Sequence, residues 1–377
     1  MAEPFKHLLN AEGVAQAAAH LARASPGFDA DGFVAQACKG LDALELKARV
    51  LQVADALEAT LPADFDAAAG LIEAALAPAR GAGATTGTGS RDDGLAGWFL
   101  WPVGEYVARR GQQRPARALA VLHALTQRFS AEFAIRPFIV HHPALSFATL
   151  QRWTADPSAQ VRRLVSEGSR PRLPWGLRLQ SLVADPSPTL PLLRALQDDP
   201  SEDVRRSVAN HLNDIAKDHP ALVAQWLATY LPGAPAPRIA LLRHASRSLI
   251  KAGDPAVLAA WGLGAAFRGR AGLTVSPEQV RIGDELQLGV QLQSRARSAQ
   301  RLAIDYAVHH VKAAGHTTPK VFKGWVIELA PGETRQLSRR HSMKAVTTRR
   351  YHPGRHALDL RINGQVVAEA GFTLAVD

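Results

Sequence analysis

The segment Asp156-Pro157-Ser158 followed by Val161-Arg162-Arg163 recurs 43 residues later as Asp199-Pro200-Ser201 followed by Val204-Arg205-Arg206. A period of this length is the signature of stacked HEAT-like helical units, each of which buries its apolar face only against its neighbours. In both copies Asp-Pro-Ser suits the end of one helix and the start of the next, with Ser or Asp capping free N–H groups and Pro tolerated in the first turn. The expected fold of this part is therefore a helical solenoid. Arg163, Glu167 and Arg170 fall at i, i+4 and i+7, on one side of a helix, and the matching positions of the later copy are Arg206, Asn210 and Asn213. A carboxylate set between arginines on the inner face of a solenoid asks for a reason.

Charge is segregated along the chain. Residues 1–108 carry a net charge of −7, whereas residues 109–210 carry 15 arginines and no lysine against 8 acidic residues. With residues 211–377 included, the region after residue 108 reaches +17. The basic field begins where the repeats begin. Arginine in place of lysine favours bidentate contact with phosphate oxygens and stacking on flat groups, so the pattern points to a polyanion. The plain alternative is a surface charge that keeps a basic protein soluble. Cys38 is the only cysteine, which excludes an intrachain disulfide framework and fits a reducing cytosol. Neither a signal peptide nor a membrane span is legible, and a cytoplasmic location is expected.

Residues 1–80 read as three or four helices with turns at Ser25-Pro26-Gly27 and Leu61-Pro62-Ala63. Gly81–Gly89 is glycine-rich, but no Gly-Lys-Ser/Thr follows, so residues 81–96 are expected to be a flexible loop and not a phosphate cradle. Helical pattern resumes at Gly97 and continues, broken by prolines, to about residue 269. Beyond Leu273 the runs alternate, as in Glu285–Leu292 and Arg355–Ile362, and Asn363-Gly364 between two such runs is a strong hairpin signal. About seven strands fit here, which predicts an immunoglobulin-like sandwich without a disulfide. The expected architecture is thus multidomain α + β, with a HEAT-like α-solenoid over 1–269 and an all-β immunoglobulin-like domain over 270–377.

Three stretches narrow the reading: Ser130-Ala131-Glu132-Phe133-Ala134-Ile135-Arg136-Pro137-Phe138, then Arg162 to Trp175, then Val208-Ala209-Asn210-His211-Leu212-Asn213-Asp214-Ile215. Together they resemble the AlkC family of bacterial alkylpurine DNA glycosylases, over nearly the whole chain and including the C-terminal β domain of one branch. The resemblance implies a monofunctional N-glycosylase that removes cationic alkylated bases from double-stranded DNA, 3-methyladenine above all and also 3-methylcytosine. It implies no cofactor, no metal, no membrane, no obligate protein partner, and a monomer in the bacterial cytosol. By motif match the catalytic acids are Glu132, Glu167 and Asp214. Trp175 is expected to stack on the sugar or the damaged base, and Arg163, Arg170 and Arg172, with Arg206, Asn210 and Asn213 of the later repeat, to hold the DNA.

The chemistry agrees. Alkylation at a ring nitrogen makes the base a cationic leaving group, so the enzyme must stabilise an oxocarbenium ion and aim a water at it, and carboxylates do both. Spacing alone reads otherwise: Glu132 has Arg128 and Arg136 at i−4 and i+4, Glu167 has its own arginines, and both look like surface ion pairs. Asp214 is equally able to cap the next helix or pair with Lys217. Trp98 and Trp101 fall on an apolar helix and read as core. A second basic cluster, Arg339, Arg340, Lys344, Arg349 and Arg350, lies in the β region, where it is either a clamp on DNA or a solvated face. Without the motif acids, a non-catalytic HEAT-repeat scaffold or a protein that binds damaged DNA without cutting it would fit as well.

Overall fold

The computed structural model describes residues 5–79, 93–346 and 350–375. The chain divides into two compact units, Met1–Asp218 and His219–Asp377.

The first unit is helical: α1 (Ala11–Ala24), α2 (Ala30–Cys38), α3 (Leu46–Thr60), α4 (Phe65–Ala75), α5 (Leu100–Arg110), α6 (Pro115–Thr126), α7 (Arg136–His141), α8 (Pro143–Trp153), α9 (Ala159–Gly168), α10 (Gln180–Ala184), α11 (Leu190–Leu196) and α12 (Glu202–Ile215). Each helix packs on near neighbours in sequence, α1 on α2, α2 on α3, α3 on α5, α5 on α6, α8 on α9 and α9 on α12. This is the local packing a repeat array requires. Val161 and Val165 of α9 and Val204 and Val208 of α12 are buried at corresponding positions of the two copies.

The repeated motif is a structural joint. Asp156 Oδ1 accepts from the Ser158 amide and Asp199 Oδ1 from the Ser201 amide, both at 2.8 Å. Of the two residues expected to cap, the aspartates close a turn onto the serine amides, and neither serine hydroxyl makes a cap bond to the helix that follows. Arg162 donates to the carbonyls of Asp156 and Pro157, and Arg205 repeats this on Asp199 and Pro200. Arg162 also grips Asp199 of the next copy with two bonds of 2.6 and 3.0 Å, which locks one unit to the next.

Gly81–Gly89 lies outside the described residues. The end of the segment expected to be flexible is anchored instead: Leu95 pairs with Leu76, and Leu95 and Ala96 are buried.

In the second unit α13 (Pro220–Tyr230), α14 (Ala236–Ala245), α15 (Arg247–Ala252) and α16 (Pro255–Ala260) precede β1 (Gly269–Ser276), β2 (Gln279–Arg281), β3 (Glu285–Ser294), β4 (Gln300–Val311), β5 (Thr317–Leu329), β6 (Thr334–Ser342), β7 (Gly354–Ile362) and β8 (Gln365–Ala375). The strands form a three-stranded sheet, β1-β3-β6, and a five-stranded sheet, β2-β8-β7-β4-β5. Leu286, Leu288, Ile304, Tyr306, Leu358 and Phe372 lie in the core of this β part. Asn363 and Gly364 turn β7 into β8 with φ of 49° and 82°, both positive as a type I′ hairpin needs.

Composition changes at Gly269, but the compact unit starts earlier, so α13–α16 go with the strands and not with the repeats that the sequence groups them with. The physical reason is close packing. α15 contacts β5, and a Cβ on Gly364 would lie 2.8 Å from Gly253 Cα, so the hairpin meets the end of α15 backbone to backbone. Asn363 Nδ2 also donates to Ala265 O at 2.7 Å.

Candidate active site

Glu132 lies in the turn that links α6 to α7. Its Oε2 accepts from Ser130 Oγ at 2.8 Å and from Arg163 Nη1 of α9 at 2.9 Å. The i±4 pairs that spacing suggests do not form: Arg128 serves Ala77 O and Ala124 O, and Arg136 serves Leu177 O and Gly168 O. Glu167, next to last in α9, is 6% exposed. Its Oε1 accepts from Arg170 Nη1 and its Oε2 from Ser207 Oγ of α12, each at 2.6 Å. Arg170 bridges onward to Asp214 Oδ2 through Nε at 2.9 Å and Nη2 at 2.8 Å, and Lys217 holds Asp214 Oδ1 at 2.8 Å.

The three acids therefore differ. Both oxygens of Glu167 and both of Asp214 are taken by protein donors, whereas Glu132 Oε1 makes no hydrogen bond among the described residues. Glu132, Glu167, Arg163 and Arg170 line a cleft of about 430 Å³ with Ser130, Leu173, Pro174 and Trp175. Its other wall is aromatic: Trp98, Trp101, Phe129 and Phe133, with Trp101 stacked on Phe133 at 4.8 Å and Trp98 5.4 Å from Phe129. Asp214, 2% exposed, stands behind Arg170 and does not line this cleft.

Trp175 occupies an unusual turn. Gly176 N donates to Leu173 O, with Pro174 and Trp175 between them, and Trp175 has φ of 64°. This is the place where a type II turn takes Gly or Asn, yet it holds a bulky ring that is 68% exposed. A side chain held in a left-handed backbone and pointed outward is the kind of strain that accompanies function.

The remaining expected residues are more dispersed. Arg172 forms a bidentate pair with Asp218 at 2.8 and 2.7 Å, and Arg206 pairs with Glu202 on an exposed face. Asn213 is buried, and neither it, Asn210 nor Arg206 lines the cleft. In the second unit Arg339 donates to Gly324 O and lies over Trp325, Arg340 is 3.9 Å from Glu285, and Lys344 and Arg350 are exposed. Arg349 lies outside the described residues. Trp98 and Trp101, which the sequence places in the core, are half-buried walls of the cleft. Ser207 and Phe129 carry no motif of their own in the sequence and emerge only from the fold, whereas Ser130 and Phe133 stand in the first of the three stretches without a role assigned to them there.

His211 sits one turn before Asp214, fully buried, with Nδ1 2.9 Å from Ser166 O. Burial pushes its pKa down to about 3, against a smaller opposing effect of the Ser166 bond, so the imidazole is neutral in the fold. The unfolded chain takes up this proton below about pH 6.5. The folded pKa lies lower, so the stability tied to neutral His211 is complete above that pH and drains away as pH falls toward 3. His356 of the second unit is shifted in the same direction by burial. We expect the parent protein to lose about 2 kcal/mol at pH 5, and His211→Asn to flatten that slope in denaturant titrations. An unchanged slope would remove His211 as the source.

Fold and site define a helical-repeat protein with paired carboxylates in an aromatic-walled cleft, followed by an immunoglobulin-like domain. The model of the family described as "Uncharacterised protein YhaZ, C-terminal Ig-like domain" matches residues 270–376. The "Uncharacterized protein YhaZ" of Bacillus subtilis (strain 168) is 39% identical over 285 residues, which cover 74% of this chain and 77% of that protein. The structure of the Pseudomonas fluorescens alkylpurine DNA glycosylase AlkC, bound to DNA containing an abasic site analog, matches with a TM-score of 0.89 at 35% identity, over 99% of this chain and 100% of that one. The chain belongs to the AlkC/YhaZ family. Among the described residues no helix is long and apolar enough to cross a membrane.

Proposed function

We propose that this protein repairs alkylated DNA as a monofunctional N-glycosylase that hydrolyses the bond between deoxyribose and a cationic alkylated base, 3-methyladenine above all and also 3-methylcytosine, leaving an abasic site. The observation that carries the reading is the cleft in which Glu132 and Glu167 face four aromatic rings, with Glu132 Oε1 making no hydrogen bond among the described residues. The match to an alkylpurine DNA glycosylase supports the same reading.

In the reaction the bond from C1′ to the base nitrogen breaks, and its electron pair leaves with the base and cancels the positive charge. Water adds to C1′, and its proton passes to a carboxylate. Glu132 is suited to that step, because one oxygen is tied to Arg163 and Ser130 while the other is left to orient water. Glu167 and Asp214 are held by donors on both oxygens and act as fixed negative charge near the oxocarbenium ion. The acids are also partnered by cations, Glu132 by Arg163 and both Glu167 and Asp214 by Arg170, so the cleft is not a bare anionic sink. Ring faces then supply attraction for a cationic base that a neutral base would not feel.

The test is release of methylated bases from duplex DNA, read as abasic sites. The +17 charge of residues 109–377 leads us to expect DNA affinity to fall with a log–log salt slope of several units. Release of no base together with a steep salt slope would point to a protein that binds damaged DNA without cutting it, and a flat slope to a scaffold for other proteins.

A further inference from the structure

Arg49 and Arg136 are the two largest fully buried side chains of the protein. Arg49 has every guanidinium nitrogen on a backbone carbonyl, those of Leu44, Lys6, Leu9 and Asp42. Arg136 is different. It donates from Nη1 to Gly168 O at 2.8 Å and from Nε to Leu177 O at 2.5 Å, while Nη2 makes no hydrogen bond among the described residues. Burial and the nearby Arg170 push its pKa down to about 10, and among the described residues no carboxylate touches it, although Asp214, Glu132 and Glu167 all lie near enough to favour its charge. A buried cation without a direct counter-ion is costly and calls for a role.

Its two carbonyl partners suggest that role. Gly168 ends α9, directly after Glu167, and Leu177 follows the turn of Trp175. The segment between them carries Arg170, Leu173, Pro174 and Trp175, all of which line the cleft. One side chain thus closes both ends of the loop that forms this wall, and as a cation it also meets the negative end of α9. Both ends are built for close approach. A Cβ on Gly168 would lie 2.6 Å from Ile135 Cγ2, beside Arg136, and a Cβ on Gly176 would lie 3.3 Å from Arg136 Nε.

We infer that Arg136 is a positioning residue for the cleft, a clasp that sets Glu167, Arg170 and Trp175 relative to Glu132; its effect on turnover rests on the proposed glycosylase reading. It does not line the cleft, so it acts through these side chains. Lysine keeps the charge but has a single nitrogen and cannot span both carbonyls. For Arg136→Lys in the full chain we expect single-turnover excision at saturating enzyme to fall about a hundredfold, the scale of an ångström-sized misplacement, with affinity for undamaged duplex within about twofold of the parent. Amide hydrogen exchange across Arg170–Leu177 should quicken. Gly176→Ala, whose added methyl meets Arg136 Nε together with Leu173 and Phe133 of the cleft wall, should quicken that exchange by a smaller factor and serves through this readout if the lysine variant does not fold. Unchanged exchange in that segment in the folded variants, or excision at the parent rate, would overturn the clasp. If the parent protein releases no base, the glycosylase reading falls, and the exchange pattern still decides the clasp.

Discussion

Glu132→Gln is expected to bind and fold like the parent and to excise about two orders of magnitude more slowly, whereas Glu167→Gln is expected to be both slow and less stable. The difference follows from the surroundings of the two acids. The Glu132 side chain is 17% exposed and its partner Arg163 30%, and a glutamine oxygen can still accept from Ser130 and Arg163. What is lost is the charge on the oxygen proposed to orient water, while the bonds from Ser130 and Arg163 still hold the side chain. Glu167 is buried, with Arg170 on one oxygen and Ser207 on the other, so a glutamine can keep both contacts only by donating its NH2 to the Ser207 hydroxyl, and the charge opposite Arg170 is lost. Removing one partner of a buried ion pair costs about 3–5 kcal/mol, and the lower end applies here because Arg170 keeps Asp214. Thermal melting and single-turnover excision of 3-methyladenine, measured on both variants, check the pair. Parent-rate excision by Glu132→Gln would dismiss it as the group that activates water.

Trp175→Gly is expected to move stability and activity in opposite directions. A left-handed conformation costs a non-glycine residue about 1–2 kcal/mol, and the ring, 68% exposed, returns little of that through burial. Glycine relieves the strain but brings extra freedom to the unfolded chain, so the net gain is about 1 kcal/mol and a few degrees in Tm. Loss of the ring removes a stacking surface at the mouth of the cleft, worth about 2 kcal/mol, or roughly thirtyfold in excision. Trp175→Asn, which tolerates the same φ, should follow the glycine variant. A variant that melts earlier and excises normally would mean that the turn is relaxed around tryptophan and the ring idle.

The sequence carried the repeat and the hairpin plainly, because both are local. Asp156 and Asp199 punctuate the chain whether or not its neighbours are known, and Asn363-Gly364 specifies its own turn. Glu132 and Glu167 were visible as a motif but not in their relationships. Glu132 finds its arginine 31 positions away, and Glu167 finds Ser207 40 positions away, distances at which helical periodicity has nothing to say. Trp98 and Trp101 misled for a related reason. Apolar neighbours make such a helix look wholly buried, whereas its aromatic face opens onto a cleft completed by Trp175 from a distant loop. The compact boundary at Asp218 was hidden because it falls between two helices, where composition does not change.

The bridge between Leu76 and Leu95 has a practical side. Leu95 N donates to Ala75 O at 2.8 Å and Ala77 N to Leu95 O at 3.1 Å, so the residues that bracket the glycine-rich stretch are stitched directly to each other. A chain that leaves and re-enters a fold at one stitched point closes an excursion whose length carries only a slowly growing entropic cost. The two points between which the glycine-rich stretch runs are thus held by backbone pairing of their own, and length variants of that stretch are expected to leave Leu76 and Leu95 paired.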